Sequence, residues 1–132
     1  MKATLQVGNV AEISFVVTTQ MQPHFGDEPI HPVCSTWDMA HQFEIVARQT
    51  LESHLEENEQ GIGSFLSIDH CAPALVGKTV SVKATVTELD ESSVVCMITA
   101  TVGTLICATG KQVQRVLPCS TISTLIENAA SH

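Results

Sequence analysis

Only one stretch of this chain has the pattern of a long amphipathic helix, and that constrains what the rest can do. From Ser35 to about Glu56 the residues read S-T-W-D-M-A-H-Q-F-E-I-V-A-R-Q-T-L-E-S-H-L-E. Ser35 is a helix-capping type, and Asp38 falls in the first turn, where a carboxylate suits the positive end of the helix dipole. Met39, Ala40, Phe43, Val46, Ala47 and Leu51 recur at helical spacing and make one apolar face centred near Ala47. Thr36 lies on the same side and Glu44 at its margin, so two polar groups lean toward whatever packs on the helix. A single helix cannot bury such a stripe alone. The partner has to be a sheet, because nearly everything that follows reads as strand.

Before the helix, residues 3–19 alternate loosely and predict a short first strand or a hairpin turning at Gly8-Asn9. Gln20 to Pro32 carries three prolines and a glycine without periodicity, a loop of the kind that often walls or covers a site. After the helix, Glu56 to Gly61 is a polar stop, with Gly61 near the C-cap. Strands are expected over 62–72, 78–89, 94–102 and 104–117, broken at 73–77, 90–92 and Gly103. The clearest is the second, where Val80, Val82, Ala84 and Val86 alternate with Thr and Ser. Pro118 ends the last strand, and 121–130 suits a short terminal helix. The prediction is one α+β domain over 1–132, an antiparallel sheet wrapped around one long central helix.

Charge and cysteine usage narrow the partners. A formal net charge of −8 argues against nucleic acid or an anionic membrane as the main partner. It leaves room for a phosphorylated ligand held by a local basic spot, for which Lys78, Lys83, Lys111 and Arg115 are available. Five cysteines are dispersed without a CxxC pair, so neither a metal site nor a disulfide framework is expected. With no visible signal peptide or membrane span, a reducing, cytoplasmic setting is the simpler expectation.

Strand, long helix and then long antiparallel strands is the element order of the hotdog fold. The motifs resemble one family within it, the fluoroacetyl-coenzyme A thioesterases. Thr36 at the helix start, Glu44 eight residues on, Gly63 after the helix, His70-x-Ala72 and then Gly77-x-Thr79-Val80-x-Val82 fall at that family's spacing. The similarity runs without a gap from Thr36 to about Gly110. It implies a thioesterase in which Thr36, Glu44 and His70 are catalytic and Gly63 lines the acyl pocket. Phe25, Ile30 and Phe43 are the apolar side chains expected to meet the acyl group. Fluoroacetyl specificity in that family is tied to a pair of lid phenylalanines, and the segment H-F-G-D-E-P-I-H-P does not match them position by position. The expected substrate is therefore a small to medium acyl-CoA, with no cofactor beyond the coenzyme A of the substrate. In the last strand Gln114 stands beside Arg115, so a basic contact there would be displaced by one residue.

Thioester hydrolysis asks for these residue types: a base, an activated hydroxyl or water, and donors for the oxyanion. His70 is the natural base. Glu44 can orient the imidazole, activate water or attack the thioester, and the sequence leaves these open. Taken singly, Thr36 reads as a helix-start residue, Glu44 as a boundary carboxylate, His70 as a structural histidine and Gly63 as a bend. Two other functions share the pattern. A non-catalytic acyl-CoA or small-ligand binder would tolerate loss of His70 and Glu44. A MaoC-type enoyl-CoA hydratase would need a motif that Gly26-Asp27-Glu28-Pro29-Ile30-His31 approaches one residue short and without its asparagine. An open-edged sheet on one helix predicts a homodimer whose two sites draw residues from both chains.

Overall fold

Helix α1 runs over Thr36–Gln49, and its start is built as its sequence suggests. The Ser35 hydroxyl accepts from the Asp38 backbone N–H at 3.2 Å and donates to the Asp38 carboxylate at 2.8 Å. The buried stripe is Met39, Phe43, Val46 and Ala47. The helix is shorter than the 35–56 expected. At Thr50 the last turn tightens: its N–H and its hydroxyl both reach the Ala47 carbonyl, the hydroxyl at 2.6 Å, and the N–H of Leu51 bonds Arg48. A separate 3-10 turn, Glu52–His54, follows, so the apolar spacing persists to the fully buried Leu51 while the α-helix does not.

The structure, a computed structural model, describes residues 1–132. Five strands form one antiparallel sheet: β1 (Val10–Val16), β2 (Glu59–His70), β3 (Thr79–Leu89), β4 (Ser93–Val102) and β5 (Leu105–Pro118). Their order is β1-β3-β4-β5-β2, which leaves β1 and β2 as edges. A terminal helix, α2, covers Cys119–Ala130. The sheet wraps α1, and its inward residues Val80, Val82, Ala84, Val86, Val94, Cys96, Ile98 and Ala100 are buried. This is the α+β hotdog arrangement that the element order implies. The 20-residue apolar core lies between α1 and the concave face.

Of the two readings of residues 3–19, the short strand forms as β1 and the hairpin does not: Gly8 and Asn9 bond Val86 of β3, extending that pairing. Gly61 is not a helix cap but a strand residue opposite Val116. Polar residues that looked like a stop therefore begin β2. His54 holds Thr4 through Nδ1 at 2.7 Å, tying the N-terminal segment to the turn after α1.

The irregularity that matters most for the site is a bulge in β2 between Gly63 and Phe65. Gly63 and His70 are seven positions apart, an odd number that would put them on opposite faces of a regular strand. The extra residue, Ser64, resets the phase. Gly61 and Gly63 before it and Leu66, Ile68 and His70 after it then all face the helix, while Phe65 turns outward to meet the Lys111 ammonium 5.8 Å from its ring centre.

Candidate active site

At the C-terminal end of β2, His70 meets the first residue of α1. Its Nδ1 lies 2.9 Å from Thr36 Oγ1. Its Nε2 is buried without a protein partner. Burial holds the His70 imidazole below its ordinary value of 6.5, so the neutral, proton-accepting form prevails at neutral pH. Thr36 is exposed and sits in the turn whose backbone N–H groups have no intrahelical acceptor. The two side chains share a cleft of about 290 Å³ with Cys34, Cys71, Ala72 and Pro73.

Cys34 and Cys71 border this pair without a reactive setting. Cys34 is buried, and burial together with the neighbouring Asp38 carboxylate pushes its thiol up to about 11. Cys71 is exposed and directs its thiol at the Ile106 carbonyl. All five cysteines are unpaired.

A second cluster forms further along the same two elements. Glu44 Oε2 accepts from Gln112 Nε2 at 2.9 Å. A Cβ on Gly63 would stand 3.4 Å from that carboxylate oxygen and 3.7 Å from the amide nitrogen. Within one chain the expected set is therefore split, with Thr36 and His70 joined and Glu44 grouped with Gly63. Eight helical residues separate Thr36 from Glu44, about 12 Å of rise, and Gly63 stands on the order of 20 Å along the strand from His70.

The lid expectations fare differently. Phe25 and Ile30 belong to a tight loop in which the His24–Pro29 bridge and the Ile30 N–H to Pro23 carbonyl bond bring the ends together, with Gly26 at a φ of 114° near its tip. Phe25 packs edge-on against Trp37, 5.6 Å between ring centres, and His24 does the same at 5.7 Å. Trp37, next to Thr36, thus anchors the loop at the start of α1. Phe43 is not a lid or wall residue: it is fully buried in the core, and a Cβ on Gly110 would meet its ring at 2.9 Å. Gln114 is buried and faces inward, whereas Arg115 is on the outer face, bonded to the Ser92 carbonyl. Asp27 borders a separate depression with His24 and Pro29, and His31 is exposed, so neither joins the Thr36–His70 pair.

The model of the family described as fluoroacetyl-CoA-specific thioesterase matches residues 17–120. The chain belongs to this family. Its activity class is accordingly that of a thioesterase. Among solved structures, a Thermus thermophilus hypothetical protein of the thioesterase superfamily is 29% identical, with 96% of this chain and 94% of that one covered and a TM-score of 0.90. A hot-dog-like protein from Thermanaerovibrio acidaminovorans is similar at 20% identity, over 93% and 91% of the two chains, with a TM-score of 0.86. The fluoroacetyl-CoA thioesterase FlK shares 21% identity over 93% and 96%, with a TM-score of 0.81. No curated protein matches in sequence. The family match contains both clusters and the lid loop; α2 lies almost wholly outside it.

Gln112 and Trp37 escaped the sequence reading. A glutamine in an alternating strand gives no sign of whether it faces the helix. The lone Trp beside Thr36 was the one available signal for an aromatic anchor.

Proposed function

We propose that this thioesterase hydrolyses a small to medium acyl-CoA to the free acid and coenzyme A, with His70 as general base, Thr36 as its hydroxyl partner and Glu44 completing the set. The observation that carries the reading is the 2.9 Å contact between Thr36 Oγ1 and a neutral His70 at the floor of an open cleft. His70 would accept the proton of the attacking O–H as its oxygen bonds the thioester carbon; the C–S bond then breaks and the imidazolium returns that proton to the leaving thiolate. Where the O–H is Thr36's, water then hydrolyses the acyl ester by the same base. Unpaired N–H groups in the first turn of α1 are donors of the kind that steady an oxyanion. The cleft volume is at the lower end of small-ligand sites, enough for a short acyl group with the nucleotide outside. Structures of FlK exist with fluoroacetate and CoA and with acetyl-CoA, which supports the same ligand class here.

The split between the clusters supports a homodimer as the working form. If two β2 edges pair antiparallel about Ser67, so that Leu66 lies opposite the partner's Ile68, the Ser64 bulge brings Gly63 of one copy opposite the partner's His70. Glu44 and Gly63 of one chain then face Thr36 and His70 of the other, giving two equal sites. The free β2 edge, with Ile62 and Phe65 exposed beside it, is the surface such pairing would cover.

The test is thiol release from a panel of acyl-CoAs, short to aromatic, by wild type and His70→Ala, with the background of the protein's own five cysteines subtracted. Turnover of at least one thioester, slowed about 100-fold or more in the variant, is the expected result. Equal rates in both proteins, or no cleavage at all, would overturn it and leave ligand binding as the function to assay.

A further inference from the structure

We propose that Gln112 is a positioning residue for the reaction: its amide N–H holds the Glu44 carboxylate at the Gly63 gap of β2. This rests on the reading above, in which Glu44 belongs to the active site. Gln112 sits mid-strand on β5, opposite Leu66 of β2 on one side and Cys96 of β4 on the other. It is completely buried. Its Nε2 donates to Glu44 Oε2 at 2.9 Å, and its Oε1 has no partner.

Packing alone does not account for a glutamine here. An amide with a buried, unpaired carbonyl is a costly occupant of a core position that leucine or methionine would fill without that penalty. What the glutamine contributes is the bond to Glu44. That bond also fixes the amide's orientation, because the flipped form would point its carbonyl at a carboxylate, acceptor against acceptor.

A neutral donor also suits the chemistry. Glu44 forms no ion pair: the chain's two are between the N-terminal ammonium and Glu59, and between Arg48 and Glu52. Arg48, one turn along α1, is spent on Glu52, the Gly61 carbonyl and Gln60. A cation against Glu44 would quench its basicity, whereas an amide orients one oxygen and leaves the other available. With no Cβ on Gly63, that position of β2 leaves the space beside the carboxylate open.

The experiment compares Gln112→Leu, Gln112→Met, Gln112→His and Gln112→Glu with wild type and Glu44→Ala, reading kcat, KM, the pH–rate profile and thermal unfolding on the best acyl-CoA. The leucine and methionine variants are expected to unfold at or above the wild-type temperature while kcat drops about 10-fold or more and KM stays within about 3-fold. Histidine, which keeps an N–H donor, should recover part of kcat. Glutamate would put two carboxyl groups within hydrogen-bond reach, and sharing one proton should move the acid limb of the profile up by about one pH unit or more. In the Glu44→Ala background, Gln112→Leu should have no further effect. If Glu44→Ala abolishes turnover but leucine and methionine keep full kcat, Gln112 is only a core residue and the proposal falls while the function stands. If Glu44→Ala is itself harmless, or wild type cleaves no thioester, the functional reading fails and takes this inference with it.

Discussion

The two ends of β2 present different chemical groups. At the C-terminal end His70 is engaged by Thr36, desolvated, and set in a cleft of its own chain. Toward the N-terminal end Gly61 and Gly63 contribute no side chain, and Glu44 is held by a buried amide while facing an unpaired strand edge. One end is equipped to move a proton and lacks a carboxylate; the other offers a carboxylate and lacks a base. The bulge at Ser64 is what lets both ends look toward the same helix. In the proposed dimer, a strand with half a site at each end and a free edge would be completed by a second copy running the other way.

The sharpest way to break that comparison is to disable each end in a different copy. His70→Ala and Glu44→Ala should each lose about 100-fold or more in kcat. Unfolded together and refolded as a mixture, they should regain roughly a quarter of wild-type activity, because half the dimers are hybrids and each hybrid holds one intact site. A mixture as inactive as its parents, in a sample that light scattering shows to be dimeric, means that each site lies within one chain. A monomeric mass at micromolar concentration would remove the dimer altogether.

The glycines of the β2–β5 pair separate architecture from chemistry. A Cβ on Gly110 would lie 2.1 Å from the Ser67 carbonyl oxygen, a backbone atom that cannot retreat without parting the two strands. Gly110→Ala should therefore cost about 3 kcal/mol in denaturant unfolding. At Gly63 the added methyl meets only Glu44 and Gln112 side-chain atoms, at 3.4–3.9 Å. Gly63→Ala is expected to keep stability within about 1 kcal/mol of wild type while lowering kcat, which would mark the position as part of the site.

How much of this was legible in the sequence depends on whether periodicity carried it. Alternation along Val80 to Val86 and the stripe from Met39 to Leu51 bury the residues they point to, except the half-buried Ala40, because a repeating pattern records which face is wet. The end of α1 was not legible: Leu51 keeps helical spacing, and only the Thr50 hydroxyl on the Ala47 carbonyl shows that the α-helix has stopped. Nor was the division of the site. Thr36, Glu44, Gly63 and His70 could be named from their spacing in a known family, yet nothing in a one-dimensional pattern says that Gly63 and His70 stand at opposite ends of one strand and share a face through one extra residue.

The imidazole at the His70 end should also leave a mark on pH dependence. Because burial lowers its pKa from 6.5, the acid limb of kcat/KM should lie below that value. The same shift acts on stability. The unfolded chain binds the proton more readily than the folded one, so stability falls as pH drops through 6.5 and levels off once the folded imidazole is also protonated. His70→Gln should flatten that dependence in thermal unfolding. An acid limb above 6.5 in wild type would mean that another group limits the reaction.

The smallest effect is expected where two amphipathic helices differ most. The apolar face of α1 is sealed by the sheet, whereas α2 buries no residue, leaving Leu125 at 51% and Ile126 at 63% exposed. Within one chain, Ile126→Ser should change unfolding free energy by no more than about 0.5 kcal/mol and leave kcat/KM untouched. Phe43→Ala in α1, by contrast, should cost about 3–5 kcal/mol. Yet α2 starts beside Pro118, which pairs with Glu59 at the glycine end of β2. Antiparallel pairing would bring that end toward the partner's Thr36 and His70. A loss in Ile126→Ser that deepens on dilution would therefore assign α2 to the subunit interface, and an unchanged KM alongside it would place the contact away from the cleft.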